Sequence, residues 1–269
     1  IVRLVGSEMC IRDSFNIVIP ARLASTRLER KLLKEINGKT IIQRTWERSK
    51  STKANSVVVA TDSKEIYEHI KEIGGVPFLS GKDHSSGTDR ICEYVESASM
   101  ADDELVINLQ ADEPLIDVDA VNNLAEFMSV NLHPYATICK KFNQDDDIDD
   151  ENRVKVVFDN NGKALYFSRA KIPFSTEEGT EMFHHIGVYG YKVSFLKKFS
   201  SLPNSKLEKI EKLEQLRALE NGYDIHVLEV KTFEAWGIDT PEDLEKFRNH
   251  ITEIAVSYTH LRAHETYDH

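Results

Sequence analysis

The sequence predicts an α/β protein, a mainly parallel sheet with an inserted antiparallel subdomain, and three observations predict it. Short apolar runs at 15–20, 56–60, 76–79 and 104–109 alternate with helical patterns, which implies parallel pairing through right-handed crossovers. The first and the last of these runs empty into charged loops, at the edge where open α/β sheets bind ligands. From Tyr135 closely spaced strand patterns surround Asp159-Asn160-Asn161-Gly162, a strong hairpin signal.

The run at 15–20 leads into a loop carrying Arg22, Arg27, Arg30 and Lys31 beside Ser25 and Thr26. Guanidinium groups contact phosphate bidentately and lysine adds a point charge, so the loop suits a polyphosphate; a solvated basic loop is the plainer alternative. Ile41, Ile42, Thr45 and Trp46 then share one face of a helix over 39–49. A strand at 56–60 precedes a helix over 62–73 striped by Ile66, Ile70 and Ile73, and Gly74-Gly75 closes it before the strand at 76–79. No strand is followed by a glycine-rich dinucleotide fingerprint or a Walker A loop, which excludes an ordinary dehydrogenase or P-loop enzyme.

Residues 82–90 form a loop entering a helix over 88–98. Ser85, Ser86, Gly87 and Thr88 supply hydroxyls and a flexible backbone there, which suits an anion or simply a helix cap. The strongest strand, 104–109, empties into Gln110-Ala111-Asp112-Glu113-Pro114. A carboxylate at that position sits where phosphate-bound Mg²⁺ is held, unless it caps the next helix, 118–127.

Strands at 135–142, 154–158, 164–168 and 185–191 make up the antiparallel insert, about 135–200, which could cover the sheet edge, pair with another subunit, or both. An acidic loop at 145–151 reads as solvated. Leu207, Ile210, Leu213 and Leu216 then predict one amphipathic helix with Glu211, Glu214 and Gln215 on its polar margins. After a strand at 225–230, Thr240 caps the last helix, with Pro241 first and Glu242-Asp243 in the opening turn. Asp239 is thus a second acid at a strand-to-helix junction.

At 269 residues the chain can bury a full core, and 41% hydrophobic with 29% charged residues is ordinary for a globular protein. The net charge of −11 argues against nucleic-acid binding, and no apolar run is long enough for membrane insertion. Cys10, Cys92 and Cys139 are too scattered for a disulfide framework or a zinc site, which fits a reducing cytoplasm. Both ends stand apart from the fold. Residues 1–14 and 256–269 resemble translated sequencing-adapter read-through, which sets the native chain at about 15–255 and makes the metal-like spacing of His260 and His264 an accident.

Taken in order, PARLASTR, ATD, DHSSGTDR, NLQADEP, RVKVVFD, ALYFSRAKIP, HIGVYGY, LEKIEKLEQLRAL and GIDTPEDLE resemble the 3-deoxy-manno-octulosonate cytidylyltransferases, the CMP-Kdo synthetases. The resemblance covers nearly all of 15–248 and implies their Rossmann-like nucleotidyltransferase fold, with the insert serving dimerisation and sugar binding. It implies that Arg22, Ser25, Arg27 and Lys31 hold the CTP triphosphate and that Ser86, Gly87, Thr88 and Arg90 surround the nucleotide. It further implies that Asp112 and Asp239 bind Mg²⁺ and that Gln110, Arg169, His185, Tyr189, Glu214 and Gln215 surround the sugar acid, Kdo. A cytoplasmic homodimer serving lipopolysaccharide assembly is implied on the same footing.

Two departures stand out. The family's Leu-Pro-x-Lys-Pro-Leu is here Leu28-Glu29-Arg30-Lys31-Leu32-Leu33, and losing both prolines predicts a less rigid free loop. The glycine of its Gln-Gly-Asp-Glu-Pro is here Ala111, whose methyl group would matter if the turn needed close approach or an unusual φ. Lys31 and Asp112, which carry the charge, are kept. The rival expectations are a cytidylyltransferase for 8-amino-Kdo or a sialic-type acid, and a nucleotide-binding homologue without turnover.

Overall fold

The computed structural model describes residues 14–265, except Thr26, Lys82, Asp83, Ser85, Gln144, Glu178, Glu234 and Ala235, and without the side chains of 255–265. The first predicted tail up to Asp13, and the side chains of His260 and His264, lie outside what is described.

Strand β1, Phe15–Ala21, lies in the interior of a sheet that has nine strands among the described residues. Helix α1, Ile41–Ser49, crosses to β4, Ser56–Thr61, and α2, Lys64–Glu72, crosses to β5, Val76–Leu79. Before α1 a small ribbon pairs β2, Glu35–Ile36, with β3, Lys39–Thr40. Helix α3, Gly87–Ser97, then returns the chain to β6, Leu105–Asn108, on the other side of β1. All four of these sheet strands run parallel. The order therefore reverses between β1 and β6, and such a switch point opens a crevice beyond the strand ends. Ala21 and Asn108 end there, so both charged loops predicted from the sequence meet at one place.

Alternation along the strands divides the core between two faces. Phe15, Ile17, Ile19 and Ile107 pack on one side with Ile41, Ile42, Trp46, Ile66 and Ile70. Val18 and Val106 pack on the other with Ile91, Val95, Leu196 and Phe199. Helix starts follow side-chain chemistry, since Thr40, Ser63, Ser86 and Asp117 each accept an N–H from the first turn of α1, α2, α3 and α4, Val118–Asn131. Because Asp117 caps α4, Asp112 and Glu113 are free of that duty.

The antiparallel segment continues the same sheet. Strand β10, Phe183–Lys192, pairs antiparallel with both β6 and β7, Tyr135–Lys141. Only the hairpin of β8, Lys155–Phe158, and β9, Ala164–Ser168, branches off, through β8 against β10. Helix α5, Val193–Ser200, follows β10 as an element additional to those the sequence predicts; Val193, Phe195, Leu196 and Phe199 bury its apolar face. Strand β11, His226–Glu229, joins β7 in parallel at the sheet edge, and α8, Pro241–Glu265, closes the chain.

One prediction fails. The helix read through Leu207–Leu216 breaks into α6, Lys206–Glu211, and α7, Leu216–Glu220, because Lys212 turns left-handed at φ 54°. Ile210 consequently leaves the apolar stripe and lies 64% exposed, while Leu213 and Leu216 are buried. The stop is anchored at both ends of the segment: Ser205 and Glu208 form a capping box, and Glu208 pairs with buried Arg217 at 2.5 Å.

Candidate active site

Arg22, Ser25, Arg27 and Lys31, from the loop after β1, face Gln110, Ala111 and Asp112, from the turn after β6, across a cavity of about 210 Å³ that Asp239 completes. Arg22 and Ser25 also line a wider hollow of about 670 Å³ with Asp62, Ser63 and His84. A third hollow, about 580 Å³, runs between Arg30 and α2, but Glu65, Glu68 and Glu72 line it and disfavour a triphosphate.

The loop is held by packing without the prolines. Leu28 and Leu32 are buried, residues Lys31–Leu33 form a 3₁₀ turn, and Arg30, left-handed at φ 53°, pairs with Glu65. This turn presents Lys31 to the acids: its Nζ lies 2.5 Å from Asp112 Oδ2 and 2.9 Å from Asp239 Oδ1. Arg27 meets the other oxygen of Asp239 at 2.8 Å. Burial alone would lower the Lys31 ammonium pKa, but Asp112 and Asp239 outweigh it and raise it above the ordinary lysine value. Burial likewise pushes the Asp239 carboxyl up, and Lys31 and Arg27 bring it below its usual range.

The backbone fixes the two acids against each other. The N–H of Ile238 donates to the Asp112 carbonyl at 3.2 Å, and that of Trp236 donates to Glu113 Oε2 at 3.1 Å. Thr240 caps the helix, as the sequence predicts, by accepting the Asp243 N–H, and Asp243 in return accepts the Thr240 N–H at 2.9 Å and the Asp239 N–H at 3.1 Å. Burial, reinforced by the charge of Asp112, pushes the Glu113 carboxyl up to about 8. Ala111 adopts an ordinary negative φ, and its carbonyl accepts Thr45 Oγ1 at 3.0 Å. The turn thus makes no conformational demand that the methyl group would violate.

Two acids bridged by one ammonium suit a divalent cation. Their oxygens converge on a common point, and carboxylate is the hard donor that magnesium takes. Among the described residues no cluster of three or more His, Cys, Asp or Glu ligands forms; a magnesium ion here would draw its remaining ligands from phosphate and water.

The predicted nucleotide residues after β5 divide. Ser86 caps α3, and Gly87 lets that helix approach β1, since a Cβ there would lie 3.1 Å from the Pro20 ring. Thr88 and Arg90 are buried: Thr88 Oγ1 donates to Glu214 Oε2 at 2.9 Å, and Arg90 pairs with Asp62 at 2.5 Å. Asp62, at the end of β4, is a partner that sequence reasoning did not single out; its place at a strand end, in the ATD motif, was the available signal.

Most of the predicted sugar residues gather along β10 and the broken helix. Gln110 Nε2 reaches the Gly187 carbonyl at 3.4 Å, and Tyr189 OH donates to Gln215 Oε1 at 3.2 Å. His185 is buried against Thr137 Oγ1, 3.0 Å away, and burial pushes its pKa down to about 3, so the ring is neutral. A bulge between Ile186 and Tyr189 lets both rings approach, their centroids 5.4 Å apart. Arg169 stands beyond β9, held by the carbonyls of Glu211 and Glu151, each at 2.9 Å. Glu211, which its sequence position marks only as the polar margin of a helix, anchors Arg169, Ser168 and Tyr166.

The cytidylyltransferase family profile matches residues 16–225 of this chain. The chain belongs to the cytidylyltransferase family. It is similar to the 3-deoxy-manno-octulosonate cytidylyltransferase of Francisella tularensis subsp. tularensis (strain FSC 198), 45% identical over 87% of this chain and 97% of the relative. The 3-deoxy-manno-octulosonate cytidylyltransferase 2 of Actinobacillus pleuropneumoniae serotype 5b (strain L20) is 43% identical over the same shares. Among solved structures, a CMP:2-keto-3-deoxy-manno-octonic acid synthetase complexed with CTP superposes with a TM-score of 0.83 at 37% identity, covering 90% of this chain and 99% of that one. No helix among the described residues is long and apolar enough to cross a membrane, and Cys92 and Cys139 are free and buried.

Proposed function

We propose that this cytidylyltransferase activates Kdo with CTP, giving CMP-Kdo and pyrophosphate for lipopolysaccharide assembly. The observation that carries the reading is the meeting of Arg27, Lys31, Asp112 and Asp239 at one cavity, with Gln110 on its wall. The similarity to the CTP-complexed structure supports the choice of nucleotide, and the names of the relatives support the choice of sugar acid.

The anomeric hydroxyl at C2 attacks the α-phosphorus, and pyrophosphate leaves. Such transfers need positioning and charge neutralisation more than covalent chemistry. Arg22, Ser25, Arg27 and Lys31 bind the triphosphate and neutralise the leaving pyrophosphate, while Ser86, Gly87, Thr88 and Arg90 shape the nucleotide side. Gln110, Arg169, His185, Tyr189, Glu214 and Gln215 orient the sugar acid. Magnesium, held by Asp112 and Asp239, would supply Lewis-acid polarisation of the phosphate and a lower pKa for the attacking hydroxyl.

The working unit is the single domain 15–255, with the insert as its sugar-binding and dimerising part, in a cytoplasmic homodimer. Leu165 and Phe174, 61% and 88% exposed on that part, support pairing through it. The test is a panel of Kdo, 8-amino-Kdo and a sialic-type acid with CTP, each CMP-sugar identified by mass. Kdo giving the highest kcat/KM supports the reading; preference for another acid replaces the substrate, and CTP binding without any product indicates an idle homologue.

A further inference from the structure

Arg169 is held from several sides. Its Nε donates to the Glu211 carbonyl and its NH1 to the Glu151 carbonyl, each at 2.9 Å. Its backbone N–H donates to Glu211 Oε2 at 3.0 Å, and its own carbonyl accepts Lys155 Nζ at 2.8 Å. Lys155 is fully buried, and its ammonium also holds the Asp150 carbonyl at 2.8 Å. A cation out of water needs such partners, so both loops that flank Arg169 are tied to one point.

Glu211 is the hub of this arrangement. Its carboxylate accepts Ser168 Oγ at 2.7 Å and Tyr166 OH at 3.3 Å besides the Arg169 N–H. Burial pushes its carboxyl up, but these hydrogen bonds outweigh it and hold the group ionised. Its carbonyl is available to Arg169 because the helix stops at Lys212; an uninterrupted helix would give that carbonyl to the N–H four residues on. The guanidinium is thereby fixed through Nε and NH1, while NH2 has no partner among the described residues. With Nε and NH1 anchored, the N–H groups of NH2 are offered to an acceptor, and a carboxylate is the acceptor a fixed guanidinium suits.

We propose that Glu211 is a positioning residue for the sugar acid: through Arg169 it fixes the guanidinium that receives the substrate's carboxylate. It therefore sets affinity for the sugar acid and leaves affinity for the nucleotide alone. The inference rests on the reading of Arg169 as a sugar-binding residue.

The test compares Arg169→Ala, Glu211→Ala and the double variant of the full chain, measuring KM for Kdo, kcat, and CTP binding by calorimetry. Arg169→Ala should raise KM for Kdo about tenfold or more, the scale of one charge-assisted hydrogen bond, and Glu211→Ala, which keeps the main-chain carbonyl but removes the carboxylate that ties it to Ser168 and to the Arg169 N–H, should raise it severalfold, both with the CTP Kd unchanged. The double variant should be hardly worse than Arg169→Ala, because the two residues act as one unit. If the alanine chain does not fold, Glu211→Asp serves instead, keeping the charge but withdrawing it by one methylene; it should also raise KM for Kdo. A rise for Arg169→Ala with none for the Glu211 variants overturns the inference alone. No rise for Arg169→Ala overturns the reading of Arg169 and the inference with it, and a weakened CTP Kd in the Glu211 variant shows a general structural role and overturns it too.

Discussion

Lys31 Nζ lies 2.5 Å from Asp112 Oδ2 although 81 residues separate them in the chain. The same ammonium also binds Asp239, so the free protein keeps a cation between the two acids proposed for magnesium. The Lys31 side chain is only 11% exposed, which makes it an integral part of the crevice.

Asp112→Asn removes one of the charges that Lys31 balances while keeping its shape. It should fold normally and lose kcat by more than the roughly 10–100-fold that loss of an outer metal partner costs. Steady-state pyrophosphate release with a circular dichroism control checks this, and a near wild-type rate would dismiss the metal assignment.

Lys31→Ala leaves Asp112 and Asp239 facing each other without their shared cation. The free variant should be less stable by about 2 kcal/mol, the scale for uncovering a partly buried charge. Added magnesium should restore more of that loss than it adds to the wild type. Thermal denaturation with and without the metal measures the first effect, and KM for CTP, expected to rise, measures the second role of the residue.

Buried His185 gives a pH dependence of stability. Its pKa falls from 6.5 in the unfolded chain to about 3 in the folded one, so the unfolded state takes up more protons between those values. Its contribution is therefore complete above about pH 6.5 and is lost as pH falls toward 3. His185→Gln can still bond Thr137 and does not titrate there; the slope of urea midpoint against pH should flatten over that window relative to wild type.

Lys212 holds a left-handed conformation that L side chains disfavour, at φ 54°. Lys212→Gly should raise stability by roughly 0.5–1 kcal/mol, because glycine adopts this helix-ending geometry without steric cost. A shift of the urea midpoint upward checks it, and no shift would mean that the break is relaxed by other contacts.

The parts of the site legible in the sequence were those set by local pattern. Phe15–Ala21 and Leu105–Asn108 announce themselves as apolar runs that end in charge, and Thr240 as a cap. What could not be read was pairing over distance. Nothing near Arg90 in sequence reveals that it meets Asp62, and nothing near Thr88 reveals Glu214, 126 residues away. The break at Lys212 was hidden for a related reason. Leu207, Ile210, Leu213 and Leu216 have helical spacing, but the capping box of Ser205 with Glu208 and the demand of Arg169 on Glu211 decide the local outcome.

On the proposed reading this crevice joins CTP to Kdo at the acid pair. The most direct measurement is pyrophosphate release by the chain with CTP, Mg²⁺ and Kdo, omitting each in turn. Release that requires all three is the predicted result. Release that continues without Kdo, or none with all three present while CTP still binds, would contradict it.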